Sequence, residues 1–527
     1  MTICHRQFEH LHLCIFEVSM DILLSGFEIL AHWDVLIALL IGSIGGIIIG
    51  ALPGVGPAIA IAILLPATFA FEPIVGLTLL LGIYGSSMYG GAIPAILINT
   101  PGTPVNALTT YDGYPMTKRG EGHRAISLAY TASFFGGIFS VICLIVLSPV
   151  LAWVAPQFGS REIFLAAFMG ILLVVVAHRG QTFVAGMLAF LGIFLNTVGL
   201  EPIKYSKRYT FEQSWLTSGF DLIVVVLGLF AISQALLLLI EKDHTPDKAR
   251  VEGNMFSGFK ELLGIKRIAW FSSSMGVLMG MIPGVGEFTA QFLSYTYAQK
   301  TSKTPEQFGK GSPEGLVASE AANNAVPAAA MIPLLALGIP GEALTAMMLS
   351  VFYVHNVIPG PQLFNQQLDF VIALYMALIL LNLIVLIFLL FSTNLLLRIM
   401  QIPTRFLGLM ILTLSFIGVY SLRNSITDCA IATCFGIFGL ILKRLNLPIV
   451  PIILGMVLGG IMEVKLRTAM AAVKTPLDFI SRPIAAIIFV MILMILVLHV
   501  RSLIREHKSK RDPDPIGPDY EHSSQQG

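Results

Sequence analysis

Charged residues are scarce in this sequence. Aspartate, glutamate, lysine and arginine make up only 12% of its 527 residues, which is about half the share found in soluble domains. No stretch has the charge density of a soluble domain, so a string of soluble domains is excluded. The net charge is +1, and a chain without a basic excess is not expected to bind nucleic acid.

Cysteine and catalytic motifs are scarce as well. The five cysteines show no metal-ligand spacing, and we interpret them as packing residues. The chain contains no HExxH zinc motif, no phosphate-binding Walker loop and no Rossmann glycine pattern. We therefore expect no cofactor, no resident metal and no enzymatic activity.

Hydrophobic residues, by contrast, make up 56% of the chain and form long, mostly apolar runs. Five of these runs are Val35 to Gly50, Ala125 to Val154, Phe220 to Ile240, Phe370 to Leu397 and Ile484 to Val500. A helix of about 20 apolar residues crosses a bilayer with all its backbone groups paired. The sequence therefore predicts an all-α polytopic membrane protein with roughly 11–13 membrane segments.

The two ends of the chain differ from the rest. Residues 1–19 hold two cysteines and three histidines, and we interpret them as a non-native or unstructured extension, with translation starting at Met20. Basic residues crowd the segment from Arg501 to Arg511, so the positive-inside rule predicts that this end is cytoplasmic. We expect residues 506–527 to form a disordered cytoplasmic tail.

The sequence repeats itself at two pairs of Pro-Gly motifs. Residues 53–56 and 283–286 both read PGVG, and a glycine stands three positions before each motif. Residues 93–104 (IPAILINTPGTP) and 332–343 (IPLLALGIPGEA) form the second pair, in which a proline stands seven positions before a Pro-Gly. We therefore divide the chain into two membrane repeats, residues 20–250 and 251–505.

Each predicted repeat thus holds two points at which a membrane helix should break. Proline removes a backbone donor and glycine permits a left-handed backbone. A broken or re-entrant helix is tolerated at membrane depth only where it lies inside protein or lines a cavity. Secondary transporters use internal repeats with paired broken helices to form their binding sites. A simple kink at each motif is the alternative interpretation.

Polar residues beside the breaks form the candidate site. Helix N-termini after each Pro-Gly favour a carboxylate ligand, whereas exposed carbonyls and carboxylates suit a hard cation such as sodium. We assign substrate binding to Ser86, Ser87, Asn99, Thr100, Gly102, Thr103, Asn106, Asn323, Asn324 and Gly341. We assign the coupling of a sodium ion or a proton to Pro53, Gly54, Gly56, Pro283, Gly284, Gly286, Glu287, Glu320 and Glu342.

The three carboxylates of this set have structural alternatives. Glu320 shares one helix face with the asparagines that follow it at i+3 and i+4, and it could instead cap a helix or form an interhelical hydrogen bond. Glu287 and Glu342 closely follow Pro-Gly breaks, where a first-turn carboxylate stabilises the helix dipole. Leu81 stands where the first repeat would match Glu320, so the two repeats are not chemically equivalent.

The same motifs resemble a known family, the large membrane subunit of the tripartite tricarboxylate transporters. The similar segments are GALPGVGPAIAIAILLP from Gly50, GAIPAILINTPGTP from Gly91, YDGYPMTKRGEG from Tyr111, FGKGSPEGLVASEAANNA from Phe308, LALGIPGEALTA from Leu335 and VIPGPQLF from Val357. The resemblance spans about residues 20–500. The family often reads APESANNA where residues 318–325 read ASEAANNA, and it often has serines near residues 92–95. These departures leave the identity of the carboxylate open.

The resemblance implies a cation-driven importer of tricarboxylates or related carboxylates in the cytoplasmic (inner) membrane of a bacterium. It implies a periplasmic solute-binding protein that delivers the substrate and a small four-helix membrane subunit as partners. A passive pore and a membrane-embedded enzyme are the alternatives. The pore would need neither a cation gradient nor a binding protein. The enzyme would need a nucleophile–base pair or an acidic metal motif, and the sequence shows neither.

Overall fold

The computed structural model describes residues 20–178, 180–202, 204–240, 253, 255–399, 402–472 and 475–511. The predicted extension 1–19, the predicted boundary at 250/251 and residues 512–527 of the predicted tail lie outside these ranges. Within them the chain is almost entirely helical. The predicted all-α polytopic membrane fold is confirmed.

The helices are α1 (Met20–Ala31), α2 (Trp33–Ala51), α3 (Gly56–Thr68), α4 (Pro73–Ile98), α5 (Ala107–Lys118), α6 (Gly122–Val154), α7 (Ser160–Ala177), α8 (Thr182–Thr197), α9 (Leu222–Val226), α10 (Ser233–Ile240), α11 (Ser257–Gly264), α12 (Lys266–Met281), α13 (Gly286–Thr301), α14 (Pro313–Leu337), α15 (Ala343–Val354), α16 (Pro361–Gln366), α17 (Leu368–Ile399), α18 (Thr404–Arg423), α19 (Ile426–Arg444), α20 (Val450–Ala472) and α21 (Pro483–Arg511). Within the described ranges, nine helices are long and apolar enough to cross a membrane, and three shorter helices are also apolar. The number of actual crossings stays a prediction.

Short elements connect these helices. Single 3₁₀ turns lie at Pro104–Asn106, Ala155–Gln157, Ser214–Leu216, Pro305–Gln307 and Pro476–Ile480, and a π-helical segment, Leu227–Ile232, joins α9 to α10. An antiparallel hairpin, β1 (Gly199–Leu200) and β2 (Lys207–Arg208), pairs Gly199 with Arg208. At the far end, α21 ends at Arg511, and the predicted disordered tail 506–527 stays a prediction.

The PGVG motifs break the helices in the same way in both halves. In the first motif, Gly54 and Gly56 have φ angles of +81° and +66°, between the end of α2 and the start of α3. In the second, Gly284 and Gly286 have φ angles of +78° and +65°, between α12 and α13. Glycine adopts this left-handed conformation without the strain that a side chain would add. Each motif therefore ends one helix and starts another, and neither is a simple kink.

The second pair of motifs also ends its helices. Asn99 closes α4 with a φ of 56°, and Gly338 closes α14 with a φ of 69°, both in the left-handed region. The prolines seven positions before each Pro-Gly, Pro94 and Pro333, lie inside α4 and α14. All four predicted break points are therefore breaks, and their backbone conformations correspond between the two halves.

The packing of the broken helices corresponds as well. In each half, glycines of one helix pack closely against the second helix that follows it along the chain. Between α2 and α4, Gly46 contacts Ile83 and Ser86, and Gly50 contacts Ser87. Between α12 and α14, Gly276 contacts Ala322 and Ala325, and Gly280 contacts Val326. These are matching positions of the two sequence motifs. The division of the whole chain into two repeats remains a prediction that these local contacts support.

Helices α4 and α14 run in opposite directions. The end of α4 contacts α5, because the hydroxyl of Thr117 donates to the carbonyl oxygen of Ile96 over 2.8 Å. Next to it, the guanidinium of Arg119 donates to the carbonyl oxygen of Gly311 over 2.8 Å, just before α14 begins. The C-terminal end of α4 and the N-terminal end of α14 therefore lie on the same side of the molecule.

Replacing Gly46 by alanine should destabilise the protein, because the added Cβ would overlap the Ser86 hydroxyl and the backbone of Ile83. Overpacking of this kind costs about 1–3 kcal/mol. Gly45→Ala is the matched control, since no heavy atom lies within 4 Å of a Cβ at Gly45 and alanine favours helix over glycine by about 1 kcal/mol. Thermal unfolding of the purified variants measures both effects, and equal midpoints would contradict the assigned contact.

Candidate functional site

Glu320 lies near the middle of α14, and its side chain is completely buried. Its Oε1 atom accepts hydrogen bonds from the Thr109 hydroxyl (2.5 Å) and the Asn106 amide (3.4 Å). Its Oε2 atom accepts from the Ser133 hydroxyl (2.8 Å) and the Asn324 amide (3.4 Å). Among the described residues, no basic side chain lies within ion-pair distance of Glu320. Four neutral donors therefore stabilise this carboxylate.

Asn106 connects Glu320 to the first half of the chain. Its amide nitrogen donates to the carbonyl oxygen of Met88 in α4 (3.3 Å) as well as to Glu320. Its side-chain oxygen accepts a hydrogen bond from the Thr103 hydroxyl (2.5 Å), and Thr103 directly precedes the 3₁₀ turn. The second Pro-Gly break of the first half thus presents two predicted site residues to the carboxylate of the second half.

The asparagine pair, Asn323 and Asn324, follows Glu320 on α14. The Asn324 amide nitrogen donates to the Ser133 hydroxyl (2.7 Å) and to the backbone carbonyl of Glu320 (3.1 Å). The side-chain oxygen of Asn324 and both polar side-chain atoms of Asn323 are buried and have no hydrogen-bond partner. The predicted common face is present, but it leaves three polar atoms of the pair unpaired.

Asp112 fixes the loop that leads into α14. Its Oδ1 atom accepts hydrogen bonds from the backbone N–H groups of Gly309 (2.9 Å), Gly311 (2.9 Å) and Ser312 (2.7 Å). Its Oδ2 atom accepts from the hydroxyl of Tyr295 (2.8 Å). Burial raises the pKa of the Asp112 carboxyl, and these hydrogen bonds lower it in part. The carboxylate therefore satisfies backbone donors at the N-terminus of a helix.

Arg119 holds the same loop from its carbonyl side. Arg119 directly follows α5, and its guanidinium donates to the carbonyl oxygens of Lys310 and Gly311, each over 2.8 Å. Gly309 and Gly311 have φ angles of +78° and +102°, which allow the loop to present three N–H groups inwards. We call Asp112, Arg119 and residues 309–312 the α5 clamp. The clamp places the start of α14 against α5, so that Thr109 reaches Glu320.

The two breaks of each half lie close together. In the second half, the backbone N–H of Gly284 donates to the carbonyl oxygen of Gly341 (2.7 Å). In the first half, a Cβ at Gly102 would overlap the carbonyl oxygen of Gly50, so the PGTP segment lies against the end of α2. Each half therefore forms a compact crossing of two broken helices.

Glu342 and Glu287, the carboxylates beside these breaks, lie at the N-terminal ends of helices, as the interpretation of them as helix-stabilising residues expects. Glu342 directly precedes α15, and its backbone N–H donates to the Thr345 hydroxyl (3.0 Å). Its Oε1 atom has no hydrogen-bond partner. Glu287 is buried in the first turn of α13. Both placements suit the helix dipole, and a coupling role for either residue stays a prediction.

Several predicted site residues lie away from the Glu320 cluster. Ser86 packs its hydroxyl against Gly46 and has no partner there. The hydroxyl of Ser87 donates to a carbonyl of its own helix over 2.9 Å. Asn99 and Thr100 are exposed at the end of α4. The residues Pro53, Gly54, Gly56, Pro283, Gly284 and Gly286 shape the turns of the two PGVG motifs.

Thr109, Ser133, Asp112 and Arg119 were not assigned from the sequence. Ser133 is one of many hydroxyls on the apolar helix α6, and no sequence signal separates it from the others. Asp112 and Arg119 lie in the YDGYPMTKRGEG segment, which resembles the family but contains no recognised ligand spacing. A carboxylate and a guanidinium seven residues apart on one helix face could have indicated a polar contact to a neighbouring segment.

Comparisons with known proteins agree with the fold. The family model described as "Tripartite tricarboxylate transporter TctA family" matches residues 36–454. The chain is 33% identical over 473 residues to an Agrobacterium vitis protein, "Uncharacterized 52.8 kDa protein in TAR-I ttuC' 3'region", and the match covers 90% of this chain and 94% of that protein. It is 34% identical over 238 residues to another protein of that organism, "Uncharacterized protein in TAR-II ttuC' 3'region". That match covers 45% of this chain and 97% of the other protein. No solved structure matches the chain.

Proposed function

Because the chain belongs to the tripartite tricarboxylate transporter TctA family, whose members are large permease subunits, we propose that it imports a tricarboxylate or related carboxylate across the inner membrane of a bacterium. A sodium or proton gradient drives this import, and a periplasmic solute-binding protein delivers the substrate. A passive pore would require neither of these.

One observation carries the proposal: the buried carboxylate of Glu320 in the second half of the chain accepts hydrogen bonds from three residues of the first half, Asn106, Thr109 on α5 and Ser133 on α6. Buried carboxylates within membrane proteins are expensive, and they are found at substrate and ion pathways. The antiparallel course of α4 and α14 also supports an inverted pair of repeats, the arrangement that secondary transporters use around a central site.

The Pro-Gly breaks are the proposed substrate site. The proposed site lies at the N-terminal ends of two helices, α5 with the 3₁₀ turn that follows Gly102, and α15 after Gly341, where the helix dipole favours a carboxylate. A substrate with several carboxylates can be held by neutral groups of this kind, which bind less tightly than a permanent lysine or arginine. Tight binding would slow release.

The small four-helix membrane subunit is the second proposed partner. Three helices of the second half, α18, α19 and α21, expose most of their apolar surface. In the apolar stretch of each helix, 28%, 28% and 17% of the residues, respectively, are buried inside the protein. Such faces suit lipid or another apolar helix. These three helices are therefore the first place to look for contacts with the small subunit.

The proposed function predicts uptake that depends on both a partner and a gradient. A thermal-shift screen of the associated binding protein against carboxylates first identifies the substrate. Proteoliposomes that contain this chain and the small subunit should then accumulate that substrate only when the loaded binding protein and a sodium or proton gradient are present. Ionophores that collapse the gradient should stop accumulation. Equal uptake without a gradient would instead support a passive pore.

A further inference from the structure

Four polar side-chain atoms on α4 and α14 are buried without a hydrogen-bond partner. They are the hydroxyl of Tyr84 on α4, both polar side-chain atoms of Asn323, and the side-chain oxygen of Asn324. Tyr84 and Asn323 are fully buried, and Asn324 is 4% exposed. An unpaired buried polar group is destabilising, and such groups in a native protein mark the place of a bound ion or water.

Tyr84 and the asparagine pair lie at the same level of the molecule. The amide of Asn106 contacts both Met88 and Glu320, which places these two residues side by side on α4 and α14. Tyr84 precedes Met88 by one helical turn, and the asparagine pair follows Glu320 by one turn. Because α4 and α14 are antiparallel, both steps go in the same direction along the two helix axes.

Tyr84 also lies on the face of α4 that is turned towards this cluster. A Cβ at Gly91 would meet the side-chain oxygen of Asn106, and Tyr84 precedes Gly91 by seven residues, which is two turns of the same face. In the alignment of the two sequence motifs, Tyr84 is moreover the position that matches Asn323. The unpaired groups therefore occupy corresponding positions of the two halves, at the crossing of α4 and α14.

Three of the four unpaired atoms are oxygens that can coordinate a cation, whereas the amide nitrogen of Asn323 can only donate a hydrogen bond. Asn324 already uses its amide nitrogen towards Ser133 and Glu320, so its free side-chain oxygen can only accept. The negative charge of Glu320 stands one turn away and would repel a carboxylate. Neutral amide and hydroxyl oxygens beside a single negative charge suit a hard cation of low charge. The described residues contain no group of three His, Cys, Asp or Glu side chains that could hold a transition metal.

We propose that a sodium ion binds between the Tyr84 hydroxyl oxygen and the side-chain oxygens of the asparagine pair, and that Glu320 balances its charge without coordinating it. Glu320 already accepts four hydrogen bonds, which leaves it little capacity to act as a ligand. The asparagine pair, assigned to the substrate from the sequence, then belongs to the cation site. The role of this ion as the coupling ion rests on the proposed function, but its binding does not.

Radioactive sodium binding to the full-length chain in lipid nanodiscs tests the site directly. The native protein should bind ²²Na⁺ saturably. Tyr84→Phe should weaken binding by about tenfold, the effect of losing about 1.4 kcal/mol, and Asn323→Leu should abolish it. Tyr375→Phe is the matched control, because it removes the hydroxyl of another buried tyrosine, whose partner is Ser148 on α6. This control should bind sodium like the native protein.

A second substitution guards against misfolding. Asn323→Asp keeps a side-chain oxygen and adds a negative charge, so it should bind sodium at least as tightly as the native chain. The proposal is overturned if the native chain shows no saturable sodium binding, or if Tyr84→Phe and Asn323→Leu both bind normally. Proton-driven carboxylate uptake without sodium binding would refute this site and leave the proposed function intact. Sodium binding without any carboxylate uptake would refute the proposed function and leave this sodium site intact.

Discussion

Glu320→Gln is expected to reduce gradient-driven uptake to the level of empty liposomes while the protein still folds. The substitution removes the negative charge that balances the bound cation, and it replaces one acceptor oxygen by a donor amide. The hydroxyls of Thr109 and Ser133 can rotate to accept from that amide, so most of the packing around α14 is retained. Uptake in proteoliposomes, measured beside the thermal unfolding midpoint, separates loss of transport from loss of fold.

Glu314→Gln is the matched control for this prediction. Glu314 lies in the first turn of the same helix, so the substitution removes the same charge away from the Glu320 cluster. It should change uptake only slightly, because a first-turn carboxylate contributes about 0.3–1 kcal/mol through the helix dipole. Near-normal uptake by Glu320→Gln would remove Glu320 from the transport mechanism and leave it a structural hydrogen-bond acceptor.

Asp112→Ala is expected to have the largest effect on stability. Alanine leaves the three backbone N–H groups of residues 309–312 and the Tyr295 hydroxyl without their acceptor. A buried donor left without its acceptor costs about 1–3 kcal/mol, and this substitution leaves several such donors. The thermal unfolding midpoint of the purified protein measures this loss, and size-exclusion profiles report whether the protein remains monodisperse.

Asp112→Asn distinguishes the clamp from a general effect of mutation at this position. The asparagine oxygen can still accept from the three N–H groups, so most of the lost stability should be regained. An Asp112→Ala variant as stable as the native protein would show that the clamp contributes little. An Asp112→Asn variant as unstable as Asp112→Ala would likewise show that the clamp contributes little.

The features that the sequence predicted are those that depend on neighbouring residues. The left-handed backbone at Gly54 and Gly284 follows from the conformational freedom of glycine within a Pro-Gly motif. The common face of Glu320 and the asparagine pair follows from the period of the helix. The family resemblance, confirmed by the match over residues 36–454, rested on the same short motifs.

The features that the sequence did not predict depend on contacts between distant residues. Ser133 lies 187 residues from Glu320, and Asp112 lies 197 residues from Gly309. Periodicity cannot identify such partners, because a helix with polar residues on several faces does not reveal which face meets which helix. Ser87 illustrates the problem: a hydroxyl in a membrane helix can pair with its own backbone, so its presence alone does not indicate a ligand.

The α5 clamp has a consequence for movement. Helix α5 and the residues that flank it hold α14 at two heights, at Glu320 through Asn106 and Thr109, and at the start of α14 through Asp112 and Arg119. Pulling the two helices apart would leave two buried carboxylates without their donors, at a cost of several kcal/mol each. During a transport cycle α5 and α14 should therefore travel as one rigid body, with hinge rotation concentrated at the Pro-Gly turns, where the backbone is no longer helical.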